Sequence, residues 1–290
     1  MTSKSALKCI KKYIKISVRD SAVLNHRKAI SVKNVKILFL GDIVGPCGTE
    51  YVCSNLRKII DEEKIDFTIV NAENSAKGNG IDQETIDELI MKGADVITTG
   101  NHAFKKINSF DLFENNSKVL RPANFPPEIS GNGYGIFEGN GFSVLVINVL
   151  GIVNMEPLAC PFRTTENIIK SCEGKYDICV IDMHAEATGE KYAFASYLDG
   201  KVGAVIGTHT HVQTADEHIL PGGTAFITDA GMCGPKESAL GVKPECIIKK
   251  LMTHTPVKFE LSENPCDMQG VIVEFDMVKK MPVGIKRFKI

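Results

Sequence analysis

From residue 35 onward the chain is paced by short apolar runs, and several of them stop on a residue able to do chemistry. VKILFLGD (35–42), FTIVNAEN (67–74), DVITTGNH (95–102), FSVLVINV (142–149), DICVIDMH (177–184), VGAVIGTHTH (202–211) and TAFITDAG (224–231) are of strand length and rich in β-formers. Several are continuously apolar, as strands covered on both faces are. Between them lie helix-like segments such as TEYVCSNLRKIIDEEK (49–64) and DQETIDELIMKG (82–93); the second has Asp82 placed to cap its start and Gly93 to end it. Strands alternating with helices make an α/β protein. VKFEL (257–261) and GVIVEF (270–275) have no helix between them and are expected as an antiparallel addition. No repeat, low-complexity tract or linker interrupts residues 35–290, which read as one domain.

The charge distribution divides the chain at the same place. Residues 1–34 hold nine Lys or Arg and one acid, Asp20, so they carry +8 of a whole-chain −1 and leave −9 on residues 35–290. An acidic body argues against broad binding to nucleic-acid backbones, though not against a small phosphate substrate held through cations. In the leader, Leu7, Ile10, Ile14 and Val18 fall at helical spacing among lysines. That pattern resembles an organelle transit peptide; the alternative is an extension that adds nothing to the fold. The nine cysteines are scattered and form no C-x-x-C pair, which favours reduced thiols in a cytoplasmic or cytosol-like compartment. The organelle matrix is the alternative location if the leader targets. No apolar run approaches the roughly 20 residues of a membrane-spanning helix.

Five of the runs deliver polar residues at their ends: Asp42; Glu73 and Asn74; Asn101 and His102; His184; and His209 with His211. In open α/β sheets, ligands bind outside the carboxyl ends of the strands. GTHTH (207–211) places two of the seven histidines one residue apart just as a strand ends, and neutral imidazole is a common metal ligand. Singly, each residue has a duller reading: Asp42 and Asn101 as turn caps, Glu73 as a solvated acid. Jointly they form an oxygen and imidazole set without thiolate, which suits a pair of first-row ions, iron- or manganese-like rather than structural zinc.

The order Asp, Glu-Asn, Gly-Asn-His, His, Gly-x-His-x-His resembles the calcineurin-like metallophosphoesterase superfamily. KILFLGDIVG, VNAENSAKGNGI, TTGNHAF, RPANFP, DMHAEATGEK and GTHTHVQTADEHILPGGTAFITDAGMCGP are similar to its YmdB-like branch, over about residues 35–276. The resemblance implies a layered β-sandwich of two mixed sheets flanked by helices, and a binuclear 2′,3′-cyclic nucleotide phosphodiesterase. It implies one ion on Asp42, Glu73 and His211 with Asn74 near, a second on Glu73, Asn101, His184 and His209, and His102 as proton donor to the leaving oxygen. The alternative for His102 is to hydrogen-bond a ligand and take no part in the reaction. Departures are Asp42-Ile43-Val44 for the superfamily's Asp-x-His, Glu73 for its bridging Asp, and Ala103-Phe104-Lys105 where the branch commonly has Thr-Trp-Asp. Glu186 could orient His184 or face solvent, and Arg121 could shape the pocket or make a structural ion pair. The expected partner is a small phosphodiester; a phosphomonoesterase or nucleotidase, a regulatory nucleotide binder, and a homo-oligomer all stay open.

Overall fold

The computed structural model describes residues 34–290; the basic leader, with its targeting and extension readings, lies outside the described residues. The first half of the described chain runs β1 (Val35–Leu40), β2 (Asp42–Ile43), α1 (Gly45–Glu63), β3 (Phe67–Asn71), α2 (Gln83–Lys92), β4 (Val96–Thr98), α3 (Ser109–Asn115), β5 (Val119–Leu120), β6 (Tyr134–Glu138) and β7 (Ser143–Leu150). It continues through α4 (Pro161–Ser171), β8 (Ile178–His184), α5 (Thr188–Tyr197), β9 (Ala204–Thr208), β10 (His218–Ile219), β11 (Ala225–Ile227) and β12 (Met232–Pro235). Last come α6 (Pro244–Thr253), β13 (Cys266–Asp267), β14 (Gln269–Asp276) and β15 (Met281–Lys289). Among these, no helix is long and apolar enough to cross a membrane.

Two six-stranded mixed sheets result, ordered β15-β14-β1-β3-β4-β5 and β10-β11-β9-β8-β7-β6. In the first, β1, β3, β4 and β5 are parallel while β14 and β15 add antiparallel at one edge. In the second, β7, β8, β9 and β11 are parallel and the two outer strands antiparallel. Strand alternation sorts the core into layers. Ile37 and Phe39 of β1 pack with Val144, Val180 and Ile206 of the other sheet. Leu38 and Leu40, on the opposite face, pack with Val52 and Leu56 of α1 and Ile86 and Leu89 of α2. Leu145 and Ile181 face Ile168 of α4 and Phe194 of α5. Sheet lies on sheet with helices outside, the layered sandwich expected, and burial on both faces accounts for the continuously apolar strands.

Local signals hold at α2, where the Asp82 side chain accepts from the Thr85 amide and Gly93 ends the helix at φ 117°. Helix α1 starts earlier than the periodicity of 49–64 suggests, because Pro46 supplies an N-terminal start. The antiparallel addition is partly corrected. GVIVEF pairs with β1 as β14, but VKFEL forms no strand: Leu261 makes one isolated bridge to Val242 and the preceding residues are largely exposed. A period of two yields a strand only where a sheet edge receives it. The hairpin partner of β14 is β15, whose Pro282 and Gly284 mask it in the sequence.

Candidate metal centre

The parallel strands of both sheets end at one rim. After β1 the chain passes Gly41, where a Cβ would lie 2.0 Å from the Gly231 carbonyl oxygen, so only glycine lets the backbone through to place Asp42. Asp42 then pairs with Met232 in a small three-stranded sheet, β13-β12-β2. β3 leads into Glu73 and Asn74, and β4 into Gly100, Asn101 and His102. A Cβ on Gly100 would sit 2.2 Å from both Glu73 Oε2 and His184 Nε2, so that glycine makes room for the cluster. β8 ends on His184. Beyond β9, His209 and His211 both adopt left-handed backbone, at φ 93° and 63°.

All eight residues singled out at the strand ends lie together. Glu73, His184 and His209 each present one ligand atom within 4.8 Å of the others. His184 Nε2 is 3.1 Å from Asn101 Oδ1, 3.2 Å from Glu73 Oε2 and 3.1 Å from His209 Nδ1. One ring nitrogen cannot satisfy three such neighbours; the atoms face a common point. On the other side, Asp42 Oδ1 is 3.8 Å from His211 Nε2, which is 3.4 Å from Asn74 Nδ2. Asp42 Oδ1 and His211 Nδ1 are buried without a hydrogen-bond partner. His102 Nδ1 lies 2.9 Å from Asn74 Oδ1 and 3.3 Å from Glu73 Oε1. Glu73, His102 and His209 open onto a cleft of about 580 Å³ whose far wall includes Leu240, Val242, Ile247 and Phe259.

A family model described as YmdB-like protein matches residues 38–288. The chain belongs to the YmdB-like family. It is 43% identical over 256 residues, 88% of this chain and 97% of the other, to the 2′,3′-cyclic-nucleotide 2′-phosphodiesterase of Bacillus subtilis (strain 168). Among solved structures, a hypothetical protein from Thermus thermophilus superposes with a TM-score of 0.83 at 36% identity, covering 88% of this chain and 99% of that one. A phosphatase from Mycoplasma pneumoniae superposes equally, TM-score 0.83 at 33% identity, covering 89% and 94%.

Charge in this YmdB-like centre is unevenly held. Burial pushes the Asp42 carboxyl up, against the pull of His211 and His184. Burial would also raise Glu73, but the charge on His184 and hydrogen bonds from His102 and His184 hold it well below the usual carboxylate range. Burial works against the charged form of His184, yet Glu73, Asp42 and Asp182 outweigh it and lift the ring to about 9. Burial and the His184 charge drive His209 down to about 3. The carboxylates around His184 thus favour positive charge at this end of the strands.

Behind the rim lies a layer that motif reading misses. His184 Nδ1 is 2.9 Å from Thr208 Oγ1, which donates to Asp182 Oδ1 at 2.6 Å; Asp182 Oδ2 also accepts from Asn71 and Thr98. That chain fixes the His184 ring with Nε2 toward the cluster. Glu186 does not orient His184 but reaches His209 Nε2 at 3.2 Å from a half-exposed position. Asp229 Oδ2 accepts from the Thr210 amide (3.0 Å), the Thr210 hydroxyl (2.7 Å) and buried Lys191 Nζ (2.9 Å). Its Oδ1 accepts from the Gly231 amide, and the Gly231 carbonyl in turn receives the Asp42 amide. One carboxylate therefore clamps both the histidine turn and the Asp42 segment. An acid inside the apolar runs DICVIDMH and TAFITDAG is the signal the sequence offers for both carboxylates. Arg121 makes no ion pair among the described residues and donates to the backbone oxygens of Pro122, Ile129 and Ser130.

Asp229→Asn strands the Lys191 ammonium in the interior and is expected to destabilise the fold by about 3–5 kcal/mol, read by urea denaturation. Asp229→Asn with Lys191→Met removes the unpaired charge and is expected to recover part of that loss.

Proposed function

We propose that this chain is a metal-dependent phosphodiesterase that opens 2′,3′-cyclic nucleotides. The observation that carries the reading is the convergence of Glu73, His184 and His209, with Asp42, Asn101 and His211 beside them, at the floor of a cleft. The activity named for the Bacillus subtilis relative, over nearly that protein's full length, supports the choice of substrate.

The donor set fits a pair of cations. Asp42 Oδ1 is a buried carboxyl oxygen with no hydrogen bond, 3.7 Å from His184 Nδ1 and 3.8 Å from His211 Nε2, a position that a cation would complete. Asp42, Glu73 and His211 would hold one ion and Glu73, Asn101, His184 and His209 the other. Glu73 is placed to serve both, with Oε2 toward His184 and Oε1 toward Asn74. Asn74 Oδ1 is engaged by His102, so Asn74 helps the first ion only if its amide turns over. Carboxylate, amide and imidazole without thiolate suit iron or manganese. When bound, such ions supply Lewis-acid charge to phosphate oxygens and acidify water toward a pKa of about 7.

The chain's own groups do the rest. Thr208 and Asp182 hold His184 in one orientation, and the Asp229 clamp holds the turn that carries His209 and His211. His102 lines the cleft with Nδ1 turned to Asn74 Oδ1, which leaves Nε2 to carry the proton that the departing ribose oxygen takes. The apolar wall of Leu240, Val242, Ile247 and Phe259 receives the nucleoside. A phosphomonoesterase reading draws on the phosphatase name of the Mycoplasma pneumoniae relative. Assay of a phosphomonoester beside adenosine 2′,3′-cyclic phosphate separates the two.

Glu73→Gln is expected to lose metal and to lower hydrolysis of adenosine 2′,3′-cyclic phosphate by more than about 100-fold, followed by metal analysis and product formation. Full activity in that variant overturns the two-ion centre. His102→Ala is expected to keep its metal content while kcat falls by about 10²–10⁴-fold; metal loss in that variant would make His102 structural.

A further inference from the structure

We infer that the preferred substrate is the 2′,3′-cyclic-phosphate end of an oligoribonucleotide rather than a free mononucleotide, an inference that rests on the phosphodiesterase reading above. Among the described residues, no lysine or arginine lines the cleft over the centre. A second cavity of about 580 Å³ shares Asn74, Asn79, Val242, Phe259 and Leu261 with this cleft and is lined also by Lys77 and Lys258. Both lysines are exposed and neither has an ion-pair partner among the described residues. The acid in that cavity, Glu260, is neutralised by Lys243 at 3.1 Å. The two lysines outnumber the one acid lining this cavity, while Lys77 also borders a neighbouring cavity lined by Glu50, Asp82, Glu84 and Glu88.

Phe259 lines both the cleft and the second cavity, 45% exposed, with Lys250 Nζ 4.9 Å from its ring centroid. An exposed aromatic ring paired with a cation is a stacking platform for a base on a single strand. With the cyclic phosphate at the centre, the terminal nucleoside fills the cleft. The next phosphate, one ribose away through the 5′-oxygen, is the group that would meet Lys77 and Lys258. A mononucleoside cyclic phosphate has nothing to place there.

The same chemistry assigns the reaction that supplies the substrate. A 2′,3′-cyclic end forms when a ribose 2′-oxygen bonds to the neighbouring phosphorus as the P–O5′ bond breaks; the 2′-hydroxyl gives up its proton and the 5′-oxygen leaves as a hydroxyl. RNA strand cleavage by transesterification produces such ends on oligonucleotides first. This chain then adds water across one P–O bond of the ring and leaves a phosphomonoester, with no further co-reactant.

The test compares kcat/KM for adenosine 2′,3′-cyclic phosphate and for adenylyl-adenosine 2′,3′-cyclic phosphate, in the metal-loaded wild type and in Lys77→Glu with Lys258→Glu. Wild type is expected to prefer the dinucleotide, with the preference shrinking as salt rises. The double variant is expected to lose roughly tenfold on the dinucleotide and to stay within about twofold on the mononucleotide. Equal wild-type rates on the two substrates, or a parallel fall on both in the variant, overturns the inference. No hydrolysis of either by wild type sinks the phosphodiesterase reading itself, and is recognisable as that separate failure.

Discussion

Four carboxylates, Asp42, Glu73, Asp182 and Asp229, are completely buried where the strand ends of the two sheets meet. An isolated buried charge is among the most costly features a fold can carry, so each must be answered by a partner. Lys191 and the Thr210 and Gly231 amides answer Asp229; Thr98, Thr208 and Asn71 answer Asp182. Glu73 is met by His184 and His102. Asp42 accepts the His209 amide on Oδ2, while Oδ1 has no hydrogen bond and only the His184 and His211 rings at 3.7 and 3.8 Å. The interior is thus settled at its back and left wanting positive charge at its rim, the electrostatics that make the rim a candidate cation site.

That demand shapes the backbone. His209 and His211 occupy left-handed conformations that cost non-glycine residues of order 1–3 kcal/mol each. Such strain persists only where surrounding contacts over-determine it, and Asp229, bonded to both the amide and the hydroxyl of Thr210 between them, supplies the contacts. Gly41 and Gly100 serve the same end from the opposite side, since a single methyl group at either would strike the backbone or the cluster. The two sheets back the rim with a packed core, in which residues such as Phe39 and Val146 fill the space between them.

How much of this is legible in the sequence follows from range. Residues that end strands declare themselves, because apolar runs are visible and their last polar residue is adjacent in sequence; the eight rim residues are legible in this way. Thr208 is not, because its role comes from register: it is the cross-strand neighbour of His184 in the β8–β9 pairing, a relation no spacing encodes. Asp182 and Asp229 are readable in principle as acids inside apolar runs, but their partners Asn71 and Lys191 lie 111 and 38 residues away. VKFEL shows the reverse case, a strand-like pattern with no edge to join, and β15 an edge strand whose Pro and Gly hide it.

The wall facing the centre obeys different rules from the floor. Helix α6, with Ile247 on the cleft, buries no residue at all, and Phe259 and Leu240 stay well exposed. These side chains add little to the core, so folding constrains them little. The floor, by contrast, cannot change an atom without disturbing a buried charge. A fold divided in this way separates a floor of buried charges from a wall that stability hardly governs, so substitutions in the wall can change the cleft without disturbing the floor.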